Sequence, residues 1–353
     1  MTKILITGAG GSAAYNFNDA LKLAGGHHVI GADMKPYHLE LIDVEKRYIV
    51  PGVSDPTYVD AMNRVIEKEQ IEFLHPQPDP EVAWLARNRD KLKVKTFLPA
   101  AEDIELCHDK MAFQERMREN GVSVPDTVRI DSKDDLKRAL DELLKIQPKL
   151  WLRASRGAGS RASLPISSFY QGDAWIDYWR NFRGIDYGDF MASEFLPGHE
   201  FAWQSLWWEG ELVTGQARER LEYIFGALTP SGQTSSPSVA KTVNRKDVND
   251  ICQAAVKAVN KKPHGVYCVD LKEDANGVPK VTEINIGRFF TTSNFFAHAG
   301  LNMPAMYIEL AMTGKLANKP QQLNPLEDDL YWVRMIDMGF KLVKGGKWSS
   351  VKA

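Results

Sequence analysis

Cysteine is scarce in this 353-residue chain: Cys107, Cys252 and Cys268 stand far apart and are odd in number. That excludes a disulfide framework and leads us to expect buried, reduced thiols in a cytoplasmic protein. Long apolar runs are missing as well. No stretch approaches the roughly 20 residues that a membrane-spanning helix needs, and the chain enters an apolar strand at once, without a signal-peptide pattern. Neither sign of charge is in excess, since 44 Lys and Arg face 46 Asp and Glu for a formal net charge of −2. Without a long basic run, nucleic acid and anionic membrane are excluded as expected partners. Internal repeats and low-complexity segments are absent too, which excludes a solenoid. The length exceeds one compact core, so two or three subdomains are expected.

What is present begins with "KILITGAGGSAAYNF", an apolar strand, a glycine turn and a helix start. Gly8, Gly10 and Ala13 fit the G-x-G-x-x-G/A spacing that brings backbone close to a pyrophosphate, and Asp33 ends the next apolar run where a ribose-binding carboxylate would stand. A parallel α/β domain needs the same tight turn without any ligand, so both readings stand on these residues. Strands over 3–7, 28–32, 71–76 and 94–100 alternate with helices over 55–70 and 80–92, the first helix starting at Asp55 and Pro56. This is the rhythm of a parallel sheet, closing near Pro99, with a hinge expected over residues 100–108. Beyond it, a helix over 109–121 ends on Gly121, a strand covers 125–130, and a helix over 132–146 is capped by Ser132.

The second half carries the chemistry. In "KLWLRASRGAGSRAS", the period of two puts Lys149, Trp151 and Arg153 on one strand face, followed by a loop with Gly157, Gly159 and Ser160 that can close backbone NH groups over phosphates. An exposed turn with solvated arginines has the same composition. "SEFLPGHEF" places Glu194 at the end of one strand and Glu200 at the start of the next, where an adenine edge and a ribose fit between them, as would an ordinary hairpin with surface glutamates. "VDLKEDANGVPKVTEINIGRF" reads as a hairpin turning at "DANG". Glu283 and Asn285 share a face, and Asp270 lies on the partner strand. Three oxygen ligands on a rigid sheet suit Mg²⁺ better than they suit a solvated strand face.

In this order the segments resemble the ATP-grasp ligases, in particular short proteins related to the large chain of carbamoyl phosphate synthetase, over about residues 1–315. The resemblance implies an α/β chain: a Rossmann-like parallel-sheet domain over 1–100, an ATP-grasp fold of two α+β subdomains over 101–325 with a small lid about 125–195, and a C-terminal extension over 326–353. It implies that Lys110 and Arg153 touch ATP phosphates, that Glu194, Phe195 and Leu196 meet the adenine and Glu200 the ribose, and that Asp270, Glu283 and Asn285 hold Mg²⁺. The N-terminal glycine turn then shapes one wall of the second-substrate site instead of holding a nucleotide. The family often has Asn-Pro-Arg after its metal glutamate. Here "NIGR" sets Arg288, the candidate catalytic residue, one position later. The implied reaction joins a small carboxylate to an amine or ammonia through an acyl phosphate, releasing ADP and phosphate, in a cytoplasmic enzyme that can form a homodimer. Acceptor-side candidates are Arg218, Arg220, Arg288 and Ser293. Two other readings stand beside it: a nicotinamide-dependent oxidoreductase using the glycine turn, and a nucleotide-binding protein without ligase turnover.

Overall fold

The computed structural model describes residues 1–157, 162–234, 236–336 and 340–345. Three sheets organise them. The first is parallel, with β1 (Thr2–Thr7), β2 (His27–Asp33), β3 (Lys46–Ile49) and β4 (Phe73–His75) in the order β3-β2-β1-β4. The middle of its central strand β1 is apolar, with Ile4, Leu5 and Ile6 fully buried, as a strand covered on both faces requires. The strand expected over 94–100 is reduced to a single bridge, Phe73 to Lys95, and β3 takes the outer place on the far side of the sheet. The helix expected from Asp55 runs instead over Tyr58–Glu69, because the Asp55 carboxylate accepts from the Thr57 NH at 2.8 Å and so closes a turn ahead of it.

The stretch expected as a hinge is the helix Ala101–His108, with Ile104 and Cys107 buried. It leads into the helix Lys110–Glu119, whose N-cap Asp109 accepts from the Met111 and Ala112 NH groups. Then comes a small antiparallel sheet, β5 (Thr127–Ile130), β6 (Leu150–Ala154), β7 (Leu164–Ile166) and β8 (Phe190–Glu194), ordered β5-β8-β6-β7. The amphipathic helix Lys133–Leu143, capped by Ser132, buries Leu136, Ala139, Leu140 and Leu143 in the core of this sheet.

The third sheet is the largest. It joins β9 (Glu200–Trp208), β10 (Glu211–Tyr223), β11 (Pro237–Val243), β12 (Gly265–Glu273), β13 (Pro279–Ile286), β14 (Leu330–Arg334) and β15 (Phe340–Lys344) in the order β13-β12-β9-β10-β11-β14-β15. The hairpin β12–β13 turns at Asp274–Gly277, where the Gly277 NH returns to the Asp274 carbonyl and φ is +76°. Residues 330–334 and 340–344, expected in an extension, supply two strands of this sheet. Among the described residues no helix is long and apolar enough to cross a membrane.

Candidate active site

One cavity opens between the small sheet and the large one. Its lining includes Lys110, Arg153, Gly157, Glu194, Phe195, Leu196, Glu200, Asp270, Glu283, Asn285 and Arg288, so residues read from three separate sequence segments meet there. Gly159 and Ser160 lie outside the described residues. Glu194 and Glu200 do not form a hairpin: β8 ends in the small sheet and β9 begins in the large one, so the linker Phe195–His199 crosses between the two.

Each charge has a local reason to be there. On β6, Leu150, Leu152 and Ala154 point into the small-sheet core, which turns Trp151 and Arg153 toward the cavity. Arg153 donates from Nη2 to the Thr282 carbonyl at 3.1 Å and lies 3.4 Å from Glu283 Oε2, while its Nε has no partner. Lys110 heads its helix; its Nζ donates to the Gly157 carbonyl at 2.6 Å and sits 3.9 Å from the same Glu283 oxygen. Burial works against the Glu283 charge, yet Lys110 and Arg153 together hold its carboxyl below the ordinary glutamate range. The two cations are in turn lowered by burial, with Glu283 opposing the shift.

Asp270 stands opposite Glu283 in the β12–β13 register. Burial, with Glu283 and Glu200 nearby, pushes its carboxyl up to about 6 in spite of Arg220, whose Nη2 donates to Asp270 Oδ1 at 2.6 Å. Asn285 donates from Nδ2 to Asp270 Oδ2 at 3.1 Å, and its oxygen accepts from Arg288 Nη2 at 2.7 Å. Among the described residues no group of three His, Cys, Asp or Glu side chains is placed to hold a metal ion. The donor set nevertheless fits Mg²⁺. That ion needs one or two carboxylates, with substrate phosphates and waters completing its shell, and a carboxyl raised by burial, with other carboxylates nearby, is one whose charged form a cation would favour.

At the other end, Glu200 accepts from Arg220 Nη1 at 3.0 Å, from Gln233 Nε2 at 2.7 Å and from the Tyr223 hydroxyl, with Lys272 at 3.8 Å. Glu194 pairs with Lys280 at 2.6 Å. Lys149 and Lys272 approach the Phe195 ring at 4.1 and 5.9 Å. Sequence reasoning missed Lys272, whose one signal is its place two positions after Asp270 on one strand face. Tyr223, Gln233 and Lys280 carry no motif of their own.

Arg288 and the acceptor-side candidates part company. Arg288 forks onto Asp79, at the start of the N-terminal helix Asp79–Arg87, and that carboxylate raises its pKa against the effect of burial. Arg220 is ion-paired through Nη1 with Glu200 and through Nη2 with Asp270, while its Nε has no partner among the described residues. Arg218, only 2% exposed, has no carboxylate partner among the described residues; Nη1 donates to the Thr292 hydroxyl and Nε has none. Burial, then the neighbouring Arg220, pushes its guanidinium down to about 9. Ser293 is buried with its hydroxyl unpartnered and lies outside the cavity lining.

The N-terminal glycine turn is closed on itself. Asp33, a ribose candidate by sequence, accepts from the Gly10 NH at 2.9 Å and from the Lys35 NH at 3.2 Å. A Cβ on Gly10 would meet the Leu39 backbone nitrogen at 3.0 Å, so the segment after β2 already occupies the approach to the turn. None of residues 8–17 lines the cavity, whose described lining starts at Lys110.

Residues 4–97 match the family model of the PylC-like N-terminal domain. No curated protein sequence matches the chain. Solved structures similar over 94% of this chain include the L-amino acid ligase of Bacillus licheniformis, with 14% identity, 79% of that chain covered and a TM-score of 0.67. Another is N5-carboxyaminoimidazole synthetase of Staphylococcus aureus complexed with ADP, with 15% identity, 82% covered and a TM-score of 0.69. A third is the biotin carboxylase domain dimer of the Hydrogenobacter thermophilus 2-oxoglutarate carboxylase with MgADP, ADP and bicarbonate, with 16% identity, 73% covered and a TM-score of 0.67. The chain has the ATP-grasp fold, with an N-terminal parallel sheet followed by antiparallel ones.

Proposed function

We propose that this ATP-grasp chain is an ATP-dependent ligase that joins a small carboxylate to an amine or ammonia through an acyl phosphate. The observation that carries the reading is the convergence, in one cavity, of two buried cations on Glu283 with Asp270 and Asn285 beside them and the Glu194–Glu200 crossing at the far end. Triphosphate charge is met by Lys110 and Arg153, which exchange part of their contact with Glu283 for phosphate oxygens. The adenine lies against Phe195 and Leu196, and Glu200 takes the ribose hydroxyls in place of Tyr223 or Gln233. Asp270, Glu283 and Asn285 would hold Mg²⁺, which supplies charge neutralisation on the phosphates. The neighbours bound to ADP and MgADP support this pairing.

A carboxylate is a poor electrophile. Its oxygen attacks the γ-phosphorus, the bond to the β-phosphate oxygen breaks, and ADP leaves. The amine lone pair then attacks the acyl carbon, phosphate departs with the bonding pair, and the amine proton passes to solvent. Such transfer needs positioning and charge stabilisation and no covalent protein nucleophile, which agrees with Cys268 being buried with its thiol pushed far up by desolvation. The asparagine-held Arg288 stands beside the proposed metal ligands, where it steadies charge on the transferring group.

ADP release from Mg-ATP, screened against mixtures of small acids with amines or ammonia, tests the reading. Acid-dependent release that rises with added amine is expected. Reduction of a nicotinamide cofactor without ATP would instead restore the oxidoreductase alternative, and ATP binding without release under any mixture would leave a nucleotide-binding protein.

A further inference from the structure

Six cations line the cavity: Lys110, Arg153, Arg218, Arg220, Lys272 and Arg288. Five are within 4.0 Å of a carboxylate. Arg218 is the exception among the described residues, although it is the most deeply buried arginine there. A guanidinium in low dielectric without a counter-charge is costly, and its cost falls when an anion arrives. Its plane is fixed from one side by the Phe290 ring, 4.4 Å from the guanidinium carbon, and from another by the Thr292 hydroxyl. Those contacts leave the Nε edge unused.

The sheet register places this edge relative to the rest of the site. Arg218 lies opposite Ala202, Ala202 opposite Asp270, and Asp270 opposite Glu283, so the four occupy one cross-strand row. Two strand spacings, about 10 Å, separate the Arg218 backbone from that of Asp270. An anion on Arg218 is thus within a side chain's reach of groups held at the two carboxylates. The surroundings fit a monoanion: one guanidinium, the Thr291 and Thr292 residues and an aromatic ring, with the neighbouring Arg220 already neutralised.

We propose that Arg218 binds the carboxylate of the acid substrate and holds it on the row that ends at Asp270 and Glu283. This deepens the ligase reading and rests on it for what happens to the acid afterwards; recognition itself is read separately. The probes are the proteinogenic L-amino acids with acetate, succinate and benzoate, and the carboxamides of the same compounds. Thermal melting of the full chain with Mg-ADP is expected to rise with one or more acids and not with their amides. Arg218→Gln should abolish the rise, and Arg218→Lys should restore part of it. In turnover, the KM for the acid should increase at least about ten-fold in Arg218→Gln, the loss of a charged hydrogen bond, while the KM for ATP stays within about two-fold. An equal melting rise in Arg218→Gln, no rise in the parent with any acid, or an equal rise with the amides overturns the proposal. Should Arg218→Gln fail to fold, an Arg218→Lys variant whose melting response and acid KM match the parent's in full also overturns it. Acid-specific melting that depends on Arg218, without ADP release, sinks the ligase reading alone.

Discussion

At the scale of single residues, the Glu283 carboxylate has two tasks, and they respond differently to substitution. It is a proposed Mg²⁺ ligand, and it is the counter-charge for Lys110 and Arg153, both buried. Glu283→Ala is expected to abolish ATP turnover and also to destabilise the fold by about 3 kcal/mol, because two buried cations lose their partner. Denaturant unfolding beside an ADP assay checks both; near-normal turnover would remove the ligand assignment. Glu81 offers a cleaner titration away from the site. Burial pushes its carboxyl up to about 7, opposed by the nearby Thr7 and Tyr58 hydroxyls. A raised folded pKa contributes stability that is complete below the unfolded value of about 4.5 and is lost as pH rises through 7, amounting to about 3 kcal/mol. Glu81→Gln should therefore flatten the stability curve between pH 5 and 8.5, and be the more stable protein at the alkaline end. Parallel curves for the two proteins would show that Glu81 ionises without strain.

The element that matters most to the site is the helix Lys110–Glu119, since its first residue is a phosphate candidate. Asp109 caps it through the Met111 and Ala112 NH groups and also accepts from Arg156, while the Lys110 NH bonds the Ser155 carbonyl at 3.2 Å. The helix start is thereby stapled to the end of β6, and Lys110 and Arg153 are registered against each other. Asp109→Ala should cost about 1 kcal/mol of stability, the usual worth of a cap, and should raise the KM for ATP by more than that loss explains. Chemical denaturation and ATP titration separate the two effects; an unchanged KM would mean that the cap sets helix stability only.

On the scale of the whole molecule, the cores do not follow the linear order of the chain. One buried cluster joins Ile4, Phe17 and Phe73 to Phe289, Phe295 and Tyr307, and another joins Leu5 and Leu74 to Trp203 and Val269. Polar ties cross the same boundary, from Asn16 to the Thr291 carbonyl at 2.5 Å and from Asn294 to Asp19 at 2.8 Å. The small sheet is different: its cluster runs from Ile130 to Ala192 and draws on no other segment. Hydrogen exchange should therefore show the N-terminal and large sheets opening together, with residues 127–194 opening separately and at lower free energy, and Mg-ATP should slow exchange across β6 and β8. Equal protection in all three sheets without nucleotide would count against a separately mobile small sheet.

The sequence by itself determined the local features. Period-two alternation put Arg153 on the cavity face of β6, the "DANG" turn set the hairpin, and that hairpin brought Asp270 across from Glu283. These are short-range consequences of pleat and turn chemistry. The tertiary structure alone decided which of the remaining charges were already spent. Asp33 and the glycine turn look like a nucleotide site until the Gly10 NH is found bonded to Asp33. Arg218, Arg220 and Arg288 are indistinguishable as letters, but Arg220 meets Glu200 and Asp270, Arg288 meets Asp79 more than two hundred positions earlier, and Arg218 meets no carboxylate among the described residues. No local pattern encodes such pairings, because they depend on which strands lie beside one another and on how deeply each charge is buried.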